Sequence, residues 1–310
     1  MEIIDWDGET ITKPGVYRGI PLKDYHHNTL LLSGPSVSKS ALKNIAPPDG
    51  NPKKFWSMWS HNPDRIETES TKALNFGRAV HCKLLGDEVF EDSFVIRPEK
   101  VDGEFYHGNR SVWKRWYREQ AELGLTVITA DQMEWIARMA TDAAWHPLVQ
   151  SGGLLGDVEM SYFWKDPETG IWLRARPDVM AADGLYVDLK TASSLDPGFL
   201  SRQVHDAGYY LQGAMTRLIC RELGLPFHSF TFFYALSEGY NDCDFRTLSD
   251  EDMDLGEGVI RYGLRAIRDG LDSGIWPGVG GTYTRENIPI RMNDFPRNRI
   301  ADFLKREGIL

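Results

Sequence analysis

The sequence is poor in cysteine. Its three cysteines, Cys82, Cys220 and Cys243, are too few and too scattered for a disulfide framework, a four-cysteine zinc site or a four-cysteine iron–sulfur cluster. A reducing cytoplasm is the expected home of such a chain. No apolar run approaches the roughly 18 residues that a membrane-spanning helix requires. The opening stretch, MEIIDWDGETITKPG, has no basic region leading into an apolar one, so a secretory signal is not expected. Internal repeats and long low-complexity segments are absent as well. Basic charge is also in deficit: 35 Lys and Arg face 45 Asp and Glu, for a net charge of −10. Bulk charge therefore does not point to nucleic acid, and any DNA contact has to be confined to a locally basic channel. What is present is ordinary globular material. With 310 residues, 42% hydrophobic and 26% charged, the chain can bury a sizeable core, which excludes wholesale disorder.

Residues 1–35 are rich in polar residues, Gly and Pro and read as an extended lead-in, followed by a single domain over 36–310. Ser36 to Ile45 predicts a short helix capped by Ser36 and stopped by Pro47-Pro48, and Pro52 to Trp59 a second one. From Thr71 to Leu85, the apolar residues Leu74, Ala79, Val80, Leu84 and Leu85 recur near helical spacing, and Gly86 supplies the stop. Two further helices are expected near 109–122 and 131–145. After Gly156 the pattern changes. Val158 to Trp164 is short and aromatic, as strands are, and the turn Asp166 to Gly170 joins it to Ile171–Arg176 in a hairpin. Asp178–Ala182, a turn at Asp183-Gly184 and Leu185–Thr191 form another. A long helix over Pro197–Leu223, strands at Ser229–Leu236 and Asp242–Thr247, and a helix over Ser249–Ser273 complete the pattern, before a tail that ends in a short helix. The fold class is α+β, or mixed α/β, with a helical N-terminal subregion.

The stretch from Arg176 to Thr191 carries the chemistry. On a strand, residues i and i+2 share a face, so Asp188 and Lys190 project together while Val187 and Leu189 face a core. Hairpin pairing brings Asp178 towards Asp188. Two convergent carboxylates repel unless a cation joins them, and hard oxygen ligands suit Mg²⁺ or Mn²⁺. A lysine beside them is placed to orient a water, to deprotonate it if neutral, or to stabilise charge on phosphorus-bound oxygen. That combination is the chemistry of metal-assisted phosphodiester hydrolysis; the alternative is a surface hairpin with solvated charges. Glu159 reads either as a further metal- or water-binding carboxylate or as a rim-facing strand residue. His81, four residues after Gly77 on one helical face, is either a nitrogen ligand or a satisfied core histidine. Tyr209 and Gln212, at i and i+3, either stack on and hydrogen-bond a nucleotide or belong to an amphipathic interface.

Basic residues cluster locally. His107 to Arg118 interleaves four Lys/Arg with three aromatics, and Arg285 to Arg306 holds six Lys/Arg against three acids. Arg174 and Arg176 lead into Asp178. Phosphate neutralisation and base stacking are one use for such segments, and a solvated helix face is another. Asp242 to Glu257, with seven acids and one base, is expected to face away from DNA.

In this order and spacing, several pieces resemble the RecE-type (exonuclease VIII) branch of the PD-(D/E)xK nuclease superfamily, relatives of lambda exonuclease. They are Val37-Ser-Lys-Ser-Ala-Leu, Phe76-Gly-Arg-Ala-Val-His81, Asp166-Pro-Glu-Thr-Gly-Ile171, Arg176-Pro-Asp178, Val187-Asp188-Leu-Lys190-Thr191 and Tyr209-Tyr-Leu-Gln212-Gly-Ala. The resemblance runs from about Ser36 to Pro277. It implies a restriction-endonuclease-like core, a central mixed sheet flanked by helices, and a divalent-metal-dependent 5′→3′ exonuclease that leaves 3′ single-stranded tails on duplex DNA. It implies His81, Asp178, Asp188 and the Leu189 carbonyl as ligands to two Mg²⁺ ions, with Mn²⁺ as a substitute. Glu159 corresponds to the family's carboxylate on the preceding strand and Lys190 to its catalytic lysine. Tyr209, Gln212, Arg174 and Arg176 would contact DNA. The implied setting is recombination or repair in a bacterial cytoplasm, on a phage or prophage protein. Its implied partners are further copies in a trimeric or tetrameric ring and a RecT-like single-strand annealing protein. A structure-specific endonuclease, or a non-catalytic DNA-binding assembly protein, is the alternative.

Overall fold

A computed structural model describes residues 3–67, 71–86, 89–182, 184–279 and 291–309. In chain order the elements are β1 (Ile3–Asp5), β2 (Gly15–Arg18), α1 (Leu22–His27), β3 (Ser36–Val37), α2 (Lys39–Leu42), α3 (Pro52–Met58), α4 (Lys72–Leu85), α5 (Phe90–Ser93), β4 (Phe94–Ile96), β5 (Lys100–Val101), β6 (Glu104–Phe105), α6 (Ser111–Glu122), β7 (Thr126–Ile128), α7 (Ala130–Ala143) and α8 (Pro147–Gln150). There follow β8 (Asp157–Val158), β9 (Ser161–Lys165), β10 (Trp172–Ala175), β11 (Val179–Ala182), β12 (Leu185–Ala192), α9 (Pro197–Asp206), α10 (Tyr209–Glu222), β13 (Ser229–Leu236), β14 (Cys243–Thr247), α11 (Asp250–Ser273) and α12 (Asp294–Arg306). No helix among the described residues is long and apolar enough to cross a membrane.

The central sheet has the order β14-β13-β12-β11-β8 and is mixed: β12 and β13 run parallel, and the other pairs are antiparallel. A parallel neighbour needs a long crossover, which α9 and α10 provide. Alternation along β12 then sorts its side chains. Val187 and Leu189 pack with Ala79 and Val80 of α4 and with Ile136 and Met139 of α7. On the other face, Tyr186, with Phe232 and Tyr234 of β13, packs against Leu211, Ala214 and Leu218 of α10. The sheet is thus covered on both faces, and Asp188 and Lys190 point to the α10 side.

A second sheet, β1-β2-β9-β10-β3, lies alongside. It draws in the first 35 residues, which are more than an extended lead-in. β2 pairs with β9, and Ile11, Tyr17, Ile20, Tyr25, Leu31 and Leu32 bury against Phe163 and Trp172.

Three expectations are corrected. Ser36 does not cap a helix: it pairs with Trp172 in β3, where Val37 is fully buried, and Ser38 becomes the residue before α2. The helix predicted over 197–223 breaks at Gly208, whose left-handed φ of 68° starts α10 anew. The strand predicted over 158–164 is two strands in two sheets, parted at Glu159, which has a φ of 54°. The remaining boundaries agree to within a few residues, and α4 ends at Gly86 in the left-handed conformation. Asp183 of the predicted turn and residues 285–290 of the basic tail lie outside the described residues; the rest of that tail is α12, which buries none of its residues.

Helix α4 approaches β12 closely at Gly77, where a Cβ would stand 3.4 Å from Thr191 Oγ1. A Cβ fits there at ordinary contact distance, but the longer side chain of a leucine has to push past Thr191. Gly77→Leu is expected to lower stability by about 1–3 kcal/mol through overpacking and to shift the helix that carries His81. Thermal unfolding together with DNA cleavage checks this; unchanged values in both would show that α4 and β12 tolerate separation.

Candidate active site

The site forms where the central sheet loses a strand. β11 pairs with β12 only as far as Val179↔Val187, so the edge of β12 beyond that point has no ladder partner on this side. Buried backbone groups need partners, and side chains supply them here. Leu189 N–H donates to Asp178 Oδ2 at 2.6 Å, and the Leu189 carbonyl lies 2.8 Å from His81 Nε2. His81 Nδ1 is 3.4 Å from the same Asp178 oxygen. The unpaired strand edge therefore lets a histidine from α4, on one face, meet charged groups from the other.

Two chain crossings between the sheets supply the rest. One passes through Glu159, between β8 and β9, and the other through Arg176 and Asp178, between β10 and β11. They run side by side: Glu159 N–H donates to the Asp178 carbonyl at 2.9 Å. Arg176 Nε donates to the Glu159 carbonyl at 2.8 Å and lies 2.9 Å from its Oε2. A non-glycine residue with positive φ is uncommon and costs energy. Here the strained backbone places the Glu159 carboxylate beside Asp178, the ligand-side one of the two readings that the sequence left open.

His81, Glu159 and Asp178 bring ligand atoms within 4.8 Å of one another, the one such cluster among the described residues. Asp188 stands apart from that trio. Its carboxylate, 1% exposed, is held by the Lys190 ammonium and by Gln212 Nε2 from α10. Burial and the neighbouring Asp188 raise Asp178 to about 6. Burial alone would lower Lys190, but Asp188 and Asp178 outweigh it and hold the ammonium above its usual range. With Asp188 facing it, Lys190 is held as a cation, the form that orients a water and stabilises charge.

These groups fit a divalent cation. Carboxylate oxygens with one imidazole are a donor set for a divalent cation, and a carboxylate raised to about 6, first by burial and then by a second carboxylate, is one that such a cation would stabilise.

A cavity of about 500 Å³ opens over the site. All the side chains singled out in the sequence line it: His81, Glu159, Asp178, Asp188, Lys190, Arg174, Arg176, Tyr209 and Gln212. The Tyr209 ring lies 5.4 Å from the Lys190 ammonium, and Gln212 is committed to Asp188, so Gln212 positions a carboxylate in this state. Arg174 and Arg176 are not free surface cations. Arg174 donates to the Tyr25 carbonyl and Arg176 to the Ile20 carbonyl, both at 2.6 Å, and Arg174 is 7% exposed. Nε of Arg174 and one terminal nitrogen of Arg176 are buried without a hydrogen-bond partner.

Sequence reasoning missed Lys39, Tyr25, His26 and Arg78, which also line the cavity. Burial and Arg174 lower His26 to about 4, so it is neutral at physiological pH. Lys39 and Arg78 stood inside quoted motifs without a role, and only the fold shows where they end up. The basic segment 107–118 is partly neutralised: Arg110 pairs with Glu104 and Arg115 with Asp102. Much of the acidic segment faces Arg217, which binds Asp254 and Glu257.

A mixed sheet with helices on both faces, and an Asp…Asp-x-Lys constellation at a strand edge, define a PD-(D/E)xK-type domain. The chain belongs to the family described as "PDDEXK-like domain of unknown function (DUF3799)", whose model matches residues 38–282. Among solved structures, it is similar to a protein from Eubacterium rectale described as a candidate exonuclease, with a TM-score of 0.56 and 14% identity over 91% of this chain and 99% of that one. At that identity the likeness concerns the fold. An alkaline exonuclease from Laribacter hongkongensis is also matched, at 13% identity over 54% of this chain and 86% of that one, with a TM-score of 0.25 that carries no argument. No curated protein matches the chain.

Proposed function

We propose that this protein is a divalent-metal-dependent exodeoxyribonuclease that digests one strand of duplex DNA from its end, 5′→3′, and leaves a 3′ single-stranded tail for recombination by annealing. The observation that carries the reading is the Lys190 ammonium held on Asp188 beside the cluster of His81, Glu159 and Asp178 in one cavity. Those three, with Asp188 and the Leu189 carbonyl, are the groups to hold Mg²⁺. Bound divalent cations would supply Lewis-acid polarisation of the phosphate and a more acidic water. Lys190 orients the attacking water or meets charge growing on the phosphate oxygens. Gln212 keeps Asp188 in place, which in turn aims Lys190. Arg174 and Arg176, immobilised by backbone carbonyls, line the cavity and add positive charge that favours a phosphate. Assembly into a ring of three or four copies, a RecT-like annealing partner and a cytoplasmic, phage- or prophage-derived setting belong to the same proposal and rest on the motif resemblance.

The test compares linear and covalently closed duplex DNA, in Mg²⁺ and in EDTA. Nucleotide release from linear DNA alone, and only with metal, is the expected result. Cutting of closed circles would replace the exonuclease by an endonuclease. Binding of DNA with no cleavage of either substrate would favour a non-catalytic assembly protein.

A further inference from the structure

Lys39 is a cation in search of an anion. Its side chain lines the active-site cavity, and its ammonium has two neighbours: the Ala207 carbonyl at 3.3 Å and the Tyr209 ring at 5.0 Å. The other cavity lysine, Lys190, has Asp188, and Arg176 has Glu159. No carboxylate lies within salt-bridge reach of Lys39 among the described residues. Burial, with Lys190 nearby, lowers its ammonium to about 7, and the charges of Asp188 and Asp178 offset only part of that. An unpaired, largely desolvated cation costs free energy that folding alone does not repay, so its placement at the wall of a substrate cavity needs a reason.

Tyr209 supplies the geometry. Its ring carries Lys39 at 5.0 Å and Lys190 at 5.4 Å, so both ammoniums are positioned by the same aromatic side chain at the start of α10. Resting on the nuclease reading above, we propose that Lys39 contacts a backbone phosphate of the DNA substrate, beside the phosphate that Lys190 addresses. The ligand class is a phosphodiester or a terminal phosphate monoester. Lys39 is then a substrate-binding residue, distinct from the group that carboxylates would hold.

The experiment uses the full chain as wild type, Lys39→Gln and Lys39→Arg. Binding of a 5′-phosphorylated duplex oligonucleotide is measured in Ca²⁺ at several salt concentrations, with cleavage monitored. One lost phosphate contact makes the slope of log K against log salt shallower by about 0.9 on duplex DNA, or about 0.7 on a single strand. Lys39→Gln is expected to show that change and roughly tenfold weaker binding at moderate salt, while Lys39→Arg retains the wild-type slope. Since no carboxylate loses a partner, Lys39→Gln should unfold at the wild-type temperature or above it. An unchanged slope in folded Lys39→Gln, or equal losses in both variants, would overturn the assignment.

A second arm separates this inference from the nuclease reading. Inorganic phosphate is titrated while thermal unfolding is followed. Stabilisation of wild type but not Lys39→Gln supports the anion contact even if wild type leaves DNA intact, and equal stabilisation of the two argues against it. Wild type that neither binds nor cuts DNA overturns the nuclease reading, and the phosphate arm still decides Lys39.

Discussion

Lys190→Ala is expected to lower the rate of nucleotide release from linear duplex DNA by roughly 10²- to 10³-fold, the usual loss when one preorganised charge-stabilising group is removed from a hydrolytic site. A second effect accompanies it. Asp188 is 1% exposed, and Lys190 is the cation that faces it. Removing one member of a buried ion pair leaves an uncompensated charge and typically costs about 3–5 kcal/mol. The variant should therefore unfold at a lower temperature than wild type in EDTA at pH 8. Single-turnover cleavage and thermal unfolding, measured on the same preparation, separate the two effects. A variant as active as wild type would remove Lys190 from the mechanism and leave the proposed reaction without its positioned cation.

Asp178→Asn should do the opposite to stability. The Asp178 carboxyl is raised to about 6 from an ordinary value near 3.8, first by burial and second by Asp188. A carboxyl whose folded pKa lies above its unfolded one binds more protons in the native state between those values. Stability then falls as pH rises from about 4 to about 6 and stays reduced above that. Asparagine is of the same shape, carries no charge, and its side-chain oxygen can still accept the Leu189 N–H. The metal-free variant is therefore expected to be more stable than wild type at pH 7–8, by on the order of 1–3 kcal/mol, and no more stable near pH 4. Cleavage should fall by several orders of magnitude, since a member of the ligand cluster is lost. Thermal unfolding in EDTA across pH 4–8, with and without Mg²⁺, reads both. Wild type should gain from Mg²⁺ and the variant should not. If the variant is the less stable of the two at pH 8, the cost assigned to this carboxylate is wrong.

Gain of stability with loss of function is what a binding site built from like charges predicts. The Asp178–Asp188 pair and Lys39 lie within one cavity, and each would be stabilised by a ligand of opposite charge.

Local chemistry made much of this legible. Alternation of Val187 and Leu189 with Asp188 and Lys190 is enough to show a strand with two charges on one face, because side-chain period 2 leaves no other arrangement. That α10 also covers the charged face is a matter of tertiary structure. Thr71, the apolar spacing after it and Gly86 mark α4 at both ends, and the cap hydrogen bond from Leu74 N–H to Thr71 Oγ1 follows from the residue type. The order of the motifs from Val37 to Gln212 was enough to indicate the family. What the linear chain could not express is where strands end relative to one another. Val158 to Trp164 is one apolar run, yet it serves two sheets, because β8 pairs with β11 while β9 pairs with β2 and β10. Ser36 has the chemistry of a helix cap, but pairing with Trp172 wins.

The sequence by itself determined which groups are candidates for the chemistry: two aspartates and a lysine on one hairpin, with a histidine and a glutamate whose roles it left open. Only the tertiary structure decided how they are paired. Asp188 belongs to Lys190 and Gln212, Asp178 to His81 and the Leu189 amide, and Lys39 to no carboxylate among the described residues. Such pairings depend on contacts between residues up to 168 positions apart, as between Lys39 and Ala207, and are set by which strand edge lies open when the sheets close. Residue type carries charge and reach; the fold sets distance and burial, and these decide whether a carboxylate is a ligand, an anchor or a solvated surface group.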